Sequence, residues 1–113
     1  MSAGRENHTV SQIKSYIRAN YDADVRLDDL SRVTGRSRYH LLRVFSKQTG
    51  LTPHAYLNLT RVSKAKELMD RDLPIVDAAL SAGFCDQSHL NRVFKKIYGI
   101  TPGQYNHSAA PAA

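Results

Sequence analysis

The chain contains one seventeen-residue stretch twice. His40 to Tyr56 reads HLLRVFSKQTGLTPHAY and His89 to Tyr105 reads HLNRVFKKIYGITPGQY, identical at ten of seventeen positions. An internal repeat says which residues must play equivalent roles, because each copy folds as the same supersecondary unit. At about 100° per residue, Leu41, Val44, Phe45 and Gln48 fall on one side of a helix. Leu90, Val93, Phe94 and Ile97 do the same in the second copy, and both sides are expected to face a core. The opposite sides carry Tyr39, Arg43 and Ser46 in one copy and Ser88, Arg92 and Lys95 in the other, with Leu42 and Asn91 beside them.

Each repeated helix has a readable start and stop. Ser37 and Asp86 are favoured N-cap residues, whose side-chain oxygens accept from free amides of the first turn. Gly50 and Gly99 suit the left-handed position that closes a helix. Thr52-Pro53 and Thr101-Pro102 read as an N-cap followed by proline at the first helical position, where its missing N–H costs nothing. The two helices are therefore expected over about 38–49 and 87–98, each followed by another.

The remaining segments fit around this unit. Thr9 with Gln12 has the spacing of a capping box, and Val10, Ile13, Tyr16 and Ile17 form a stripe predicting a helix over about 10–20. Leu27, Leu30 and Val33 predict a short helix with Asp28 and Asp29 in its first turn, and Gly35-Arg36-Ser37 then turns the chain. From Pro53 a stripe of Tyr56, Leu59, Val62, Ala65, Leu68 and Met69 predicts the longest helix. After Pro74 a narrow face of Ile75, Ala78, Ala79 and Ala82 predicts a fifth. The turn from Gly83 to Asp86 is one residue longer than its counterpart, so the offset between copies is 48 before it and 49 after.

No segment alternates with the period of a strand, so the expected fold is all-α, with about seven helices. A short helix, a tight glycine turn and a second helix make a helix-turn-helix motif. The organisation expected is a disordered stretch at 1–8, a first helix-turn-helix subdomain at 9–52, a linker helix at 53–70, a second subdomain at 71–106 and a disordered tail at 107–113.

Charge narrows the function. The net charge is +6, and from Leu30 to Lys66 there are eight basic residues and no acidic one. After Asp86 come Arg92, Lys95 and Lys96, again with no acid. Positive charge collected on the repeated unit is what a polyanion-binding face requires. A single cysteine, Cys85, excludes a disulfide framework and points to a reducing cytosol, and no apolar run approaches the ~18 residues of a membrane span. The five histidines and one cysteine show no metal-ligand spacing, no cofactor motif is present, and no nucleophile-base pair or phosphate loop suggests an enzyme.

In a helix-turn-helix protein the second helix lies in the major groove and its N-terminal residues read base edges. Arg bonds guanine bidentately, Asn and Gln bond adenine, and apolar groups meet the thymine methyl. The candidate base readers are thus Tyr39, Leu42 and Arg43 in the first copy and Gln87, Ser88, Asn91 and Arg92 in the second. Arg36, Arg38, Lys47, Lys95 and Lys96 flank them as candidate phosphate contacts. One arginine on one helix reads best as a solvated surface charge, whereas recurrence at the same place in a repeat favours a shared contact. Because the two exposed faces differ, the half-sites are expected to be unlike and the whole site asymmetric. The alternative is an adaptor that docks on RNA polymerase and binds DNA only through general basicity.

These residues resemble the DNA-binding domain of the AraC/XylS family of bacterial transcription regulators. The likeness runs over about residues 10–106. In the second half it rests on Ile75, Asp77, Ala79, Gly83-Phe84, Asp86, Ser88, Leu90, Arg92, Phe94, Lys95, Gly99, Thr101-Pro102 and Tyr105. In the first it rests on Leu27, Leu30, Ser37, Leu41, Arg43, Phe45, Gly50, Pro53, Tyr56, Arg61 and Ala65. The resemblance implies two helix-turn-helix units joined by a long helix and major-groove binding by both second helices. It also implies double-stranded DNA as partner, activation through RNA polymerase, and a bacterial cytoplasmic, nucleoid-associated location. Family members usually carry a separate ligand-binding or dimerisation domain. The domain by itself is expected to be monomeric on DNA, with a dimer if such a domain accompanies it.

Overall fold

The computed structural model describes residues 2–109, with side chains over 4–106; residue 1 and residues 110–113 of the expected disordered ends lie outside that range. Seven helices follow in order: α1 (Ser2–Asn20), α2 (Leu27–Thr34), α3 (Arg38–Thr49), α4 (Pro53–Asp70), α5 (Ile75–Ser81), α6 (Gln87–Tyr98) and α7 (Pro102–Ala109). No strand occurs among the described residues. The chain divides into two compact units, Met1–Thr60 and Arg61–Ala113, each with its own hydrophobic core.

The core of the first unit is built from Val10, Ile13 and Ile17 of α1, Leu30 of α2, Leu41, Val44 and Phe45 of α3, and Leu57 of α4. The 3.6-residue period brings each set to one side of its helix, and α1, α2 and α3 pack pairwise around it. In the second unit Val62, Ala65 and Met69 of α4 meet Ala78 and Ala79 of α5, Ala82 and Phe84 of the turn, and Leu90 and Phe94 of α6. The small side chains of α5 allow its backbone to come close to its neighbours, and Ala78 and Ala79, with Ala82 just beyond the helix, are fully buried.

The repeat is reproduced in detail. Ser37 Oγ accepts from the His40 amide at 3.1 Å and Asp86 Oδ1 from the His89 amide at 2.8 Å. Gly50 and Gly99 close their helices at φ of 76° and 81°, a region that side-chain-bearing residues rarely enter. Thr52 and Thr101 hydroxyls accept from Ala55 and Gln104 at 3.0 and 3.2 Å, and Pro53 and Pro102 open α4 and α7 as buried residues. Phe45 meets Tyr56 with ring centroids 5.8 Å apart, and Phe94 meets Tyr105 at the same distance.

Several expectations need correction. Helix α1 begins at Ser2, not near residue 10, so the stretch expected to be disordered at 1–8 is helical from its second residue. Thr9 is not a cap. It is buried inside α1, its Oγ1 donating to the Arg5 carbonyl one turn back at 3.0 Å. Gln12 instead donates to the carbonyl of Val33 at 3.3 Å, satisfying an acceptor at the end of α2. Gln48, assigned to a core side, is exposed, because the last turn of α3 runs past the core, and its amide donates to Glu6 Oε2 at 3.2 Å. The early turns of α1 are therefore held by a partner on α3. At the other end α7 continues to Ala109, into the expected tail.

Helix α4 departs from the single stripe read along it. Leu59 is 36% exposed, while Leu57, outside that stripe, is buried at 4%. The reason is that α4 serves two cores, Leu57 lying in the first and Val62, Ala65 and Met69 in the second.

Candidate nucleic-acid interface

Helix α3 presents its outward side from the first unit. Tyr39 is 77% exposed, and Arg43, Ser46 and Lys47 are exposed beyond it. Neither Arg43 nor Lys47 forms an ion pair or side-chain hydrogen bond among the described residues, so both charges are available to an incoming anion. Leu42 is half-buried and packs against the core, leaving part of its side chain outward.

Arg38 is exposed but engaged, its Nη1 lying 3.5 Å from Asp28 Oδ1 in the first turn of α2. A phosphate approaching Arg38 would compete with that carboxylate. Arg36, in the turn, is half-buried and lies alongside α1. Its carbonyl accepts from Ser31 Oγ at 2.5 Å and its amide donates to Thr34 Oγ1 at 3.2 Å, which fixes the turn.

In the second unit α6 displays the equivalent surface. Gln87, Ser88, Arg92, Lys95 and Lys96 are exposed, and Asn91 is half-buried, as its counterpart Leu42 is. Arg92, like Arg43, has no acidic partner among the described residues. Of the seven residues singled out as base readers, Tyr39 and Arg43 lie together on α3 and Gln87, Ser88 and Arg92 on α6, while Leu42 and Asn91 sit at the edges of their cores. His89 is half-buried, its ring meeting Phe84 edge-on with centroids 5.1 Å apart, so its role is packing and cap support.

No group of three His, Cys, Asp or Glu among the described residues could hold a metal, and Cys85 is exposed in its turn. No helix among the described residues is long and apolar enough to cross a membrane.

Two capped helix-turn-helix units, each turning a cationic second helix outward, define a double helix-turn-helix domain. A family model described as a helix-turn-helix domain matches residues 30–108. The chain is 33% identical over 104 residues to the helix-turn-helix transcriptional activator AarP of Providencia stuartii, covering 91% of this chain and 77% of that protein. It is 44% identical over 81 residues to YbfI of Bacillus subtilis, an uncharacterised helix-turn-helix-type transcriptional regulator, covering 72% of this chain and 30% of YbfI. A crystal structure of a transcriptional regulator with an AraC-type DNA-binding domain, from Chromobacterium violaceum, superposes with a TM-score of 0.84. Identity there is 26%, covering 94% of this chain and 96% of that one. The chain belongs to the AraC/XylS family of transcription regulators, of which it carries the double helix-turn-helix DNA-binding domain. That family is one of regulators, not enzymes. The chain spans under a third of the length of YbfI.

Proposed function

We propose that this domain binds double-stranded DNA sequence-specifically, with α3 and α6 as the two recognition helices. One observation carries the proposal: Arg43 and Arg92 occupy the same position of the repeat, both exposed and both without an acidic partner among the described residues. Leaving two guanidinium groups unpaired at equivalent places suits a bidentate acceptor such as guanine O6 and N7. Tyr39, Leu42, Gln87, Ser88 and Asn91 would complete the base contacts, and Arg36, Arg38, Lys47, Lys95 and Lys96 would neutralise phosphates.

The faces of α3 and α6 differ in side chains, so one chain reads two unlike half-sites in successive major-groove segments, about 34 Å apart along the duplex. The domain acts as a monomer on this asymmetric site, in the bacterial cytoplasm. Activation of transcription through RNA polymerase is the regulatory outcome proposed, in keeping with the activator AarP.

Selection of bound sequences from a random duplex pool tests this reading. It should return two different boxes separated by about one helical turn. An unenriched pool, with affinity set by salt alone, would favour a basic adaptor that docks on polymerase and touches DNA without sequence choice.

A further inference from the structure

Where α1 passes the helix-turn-helix turn of the first unit, an open cleft of about 290 Å³ lies between them. Arg5 and His8 line it from α1, and Arg36 lines it from the turn. Gly4, Thr9, Gln12 and Thr34 complete the wall. Within that wall Thr9 Oγ1 donates to the Arg5 carbonyl, Gln12 Nε2 to the Val33 carbonyl, and Thr34 Oγ1 to the Leu30 carbonyl. The side chains of Arg5, His8 and Arg36 have no hydrogen-bond or ion-pair partner among the described residues.

No described carboxylate lines the cleft. Glu6, next to Arg5, is held by Gln48 of α3. Two guanidinium groups brought to one cleft with no described counter-charge repel one another, and an anion there removes the repulsion while accepting charge-assisted hydrogen bonds from both, with the imidazole of His8 beside it. Arg guanidinium geometry matches tetrahedral phosphate oxygens, and the volume is at the lower end of small-ligand pockets, enough for a phosphoryl group.

We propose that Arg5, His8 and Arg36 form a phosphate-binding cleft. The phosphate has two sources: a backbone phosphate of bound duplex, or a free phosphorylated small molecule. The first source rests on the DNA-binding reading above, and the second does not.

The test has two arms, both on the full chain. In one, inorganic phosphate is titrated against chloride at constant ionic strength while backbone and guanidinium NMR shifts are followed. Saturable shifts at Arg5, His8 and Arg36, lost in Arg5→Gln and kept in Arg5→Lys, identify the cleft as a phosphate site in the free protein. In the other, the salt dependence of duplex binding is compared between wild type and Arg5→Gln. A log–log slope shallower by about 0.9 assigns a duplex phosphate to the cleft. An unchanged slope with positive shifts assigns a free phosphorylated ligand. Silence in both arms overturns the proposal. Should Arg5→Gln lose helix content by circular dichroism, Arg5→Ala, which removes the same charge with the strongest helix-forming residue, serves in both arms. Failure of the wild type to select any DNA sequence removes only the proposed function, since the phosphate titration reads the cleft independently.

Discussion

The hydroxyl of Tyr105 donates a 2.6 Å hydrogen bond to Oδ1 of Asp70, tying α7 to the last residue of α4. Lys66 lies over the same ring, its Nζ 5.6 Å from the Tyr105 centroid and 5.7 Å from that of Tyr98. The equivalent Tyr56 of the first unit is flanked by Lys14 and Arg18, each 5.8 Å from its centroid. Tyr105→Phe keeps the ring and removes the bond. Because the pair is exposed, the expected loss is about 1 kcal/mol, below the range for buried charge-assisted bonds, measured by urea denaturation at pH 7.

The hydrogen bond to Asp70 holds the Tyr105 hydroxyl above the usual phenol range. A folded-state value above the unfolded one means that the unfolded chain loses its proton first as pH rises. The stabilisation is therefore complete below about pH 10, and fades as the pH climbs through the folded-state value. The stability difference between wild type and Tyr105→Phe should shrink across that alkaline range and stay constant between pH 6 and 8.

Asp28→Asn should release Arg38 for phosphate. The pair at 3.5 Å is solvent-exposed on both sides, so its removal is expected to cost under about 1 kcal/mol of stability, including the lost helix-dipole interaction. Affinity for duplex should rise by about 2- to 5-fold at low salt, since a negative charge leaves the interface and a positive one is freed. An affinity unchanged within error would place Arg38 away from the phosphates.

Arg43→Ala and Arg92→Ala should each weaken binding by roughly 1 to 3 kcal/mol and relax preference only in its own half-site. Lys95→Ala should weaken all sequences alike and flatten the salt slope by about one unit. Competition binding with single-half-site substitutions separates these outcomes. Equal losses for all three variants on random DNA would remove the base-reading roles.

Ala79→Leu tests the close approach of α5. Ala79 is fully buried against the second core, and three added carbons have no space there. The expected cost is about 1–3 kcal/mol, read from denaturant midpoints with an unchanged slope.

The parts of this fold that were legible in the amino-acid order are those set by local chemistry. Ser37, Asp86, Gly50 and Gly99 fix helix ends through their own hydrogen bonds or backbone angles, and all four behave as expected. The repeat doubled that information, which is why α3 and α6 and their outward arginines were readable together. What escaped depends on tertiary partners. Nothing in MSAGRENH announces a helix, yet Glu6 finds Gln48 across 42 residues of chain. The same physics hid Arg5 and His8, whose significance comes from Arg36 in the turn. A preceding polar residue with Gln three positions on resembled a cap at Thr9, and only burial distinguishes it from one. Leu57 was missed because periodicity within one helix cannot reveal that its residues answer to separate cores.

That division of labour along α4 bears on how such a domain can be cut or recombined. The boundary between the units falls at Thr60 and Arg61, inside unbroken helix and not at a loop. Severing the polypeptide there would strand carbonyls on one fragment and amides on the other. Shifting the cut to either flanking turn would instead strip one fragment of part of its apolar interior. Keeping the two halves as a single piece, in any transplant onto another protein, follows from that one rod having no neutral place to be broken.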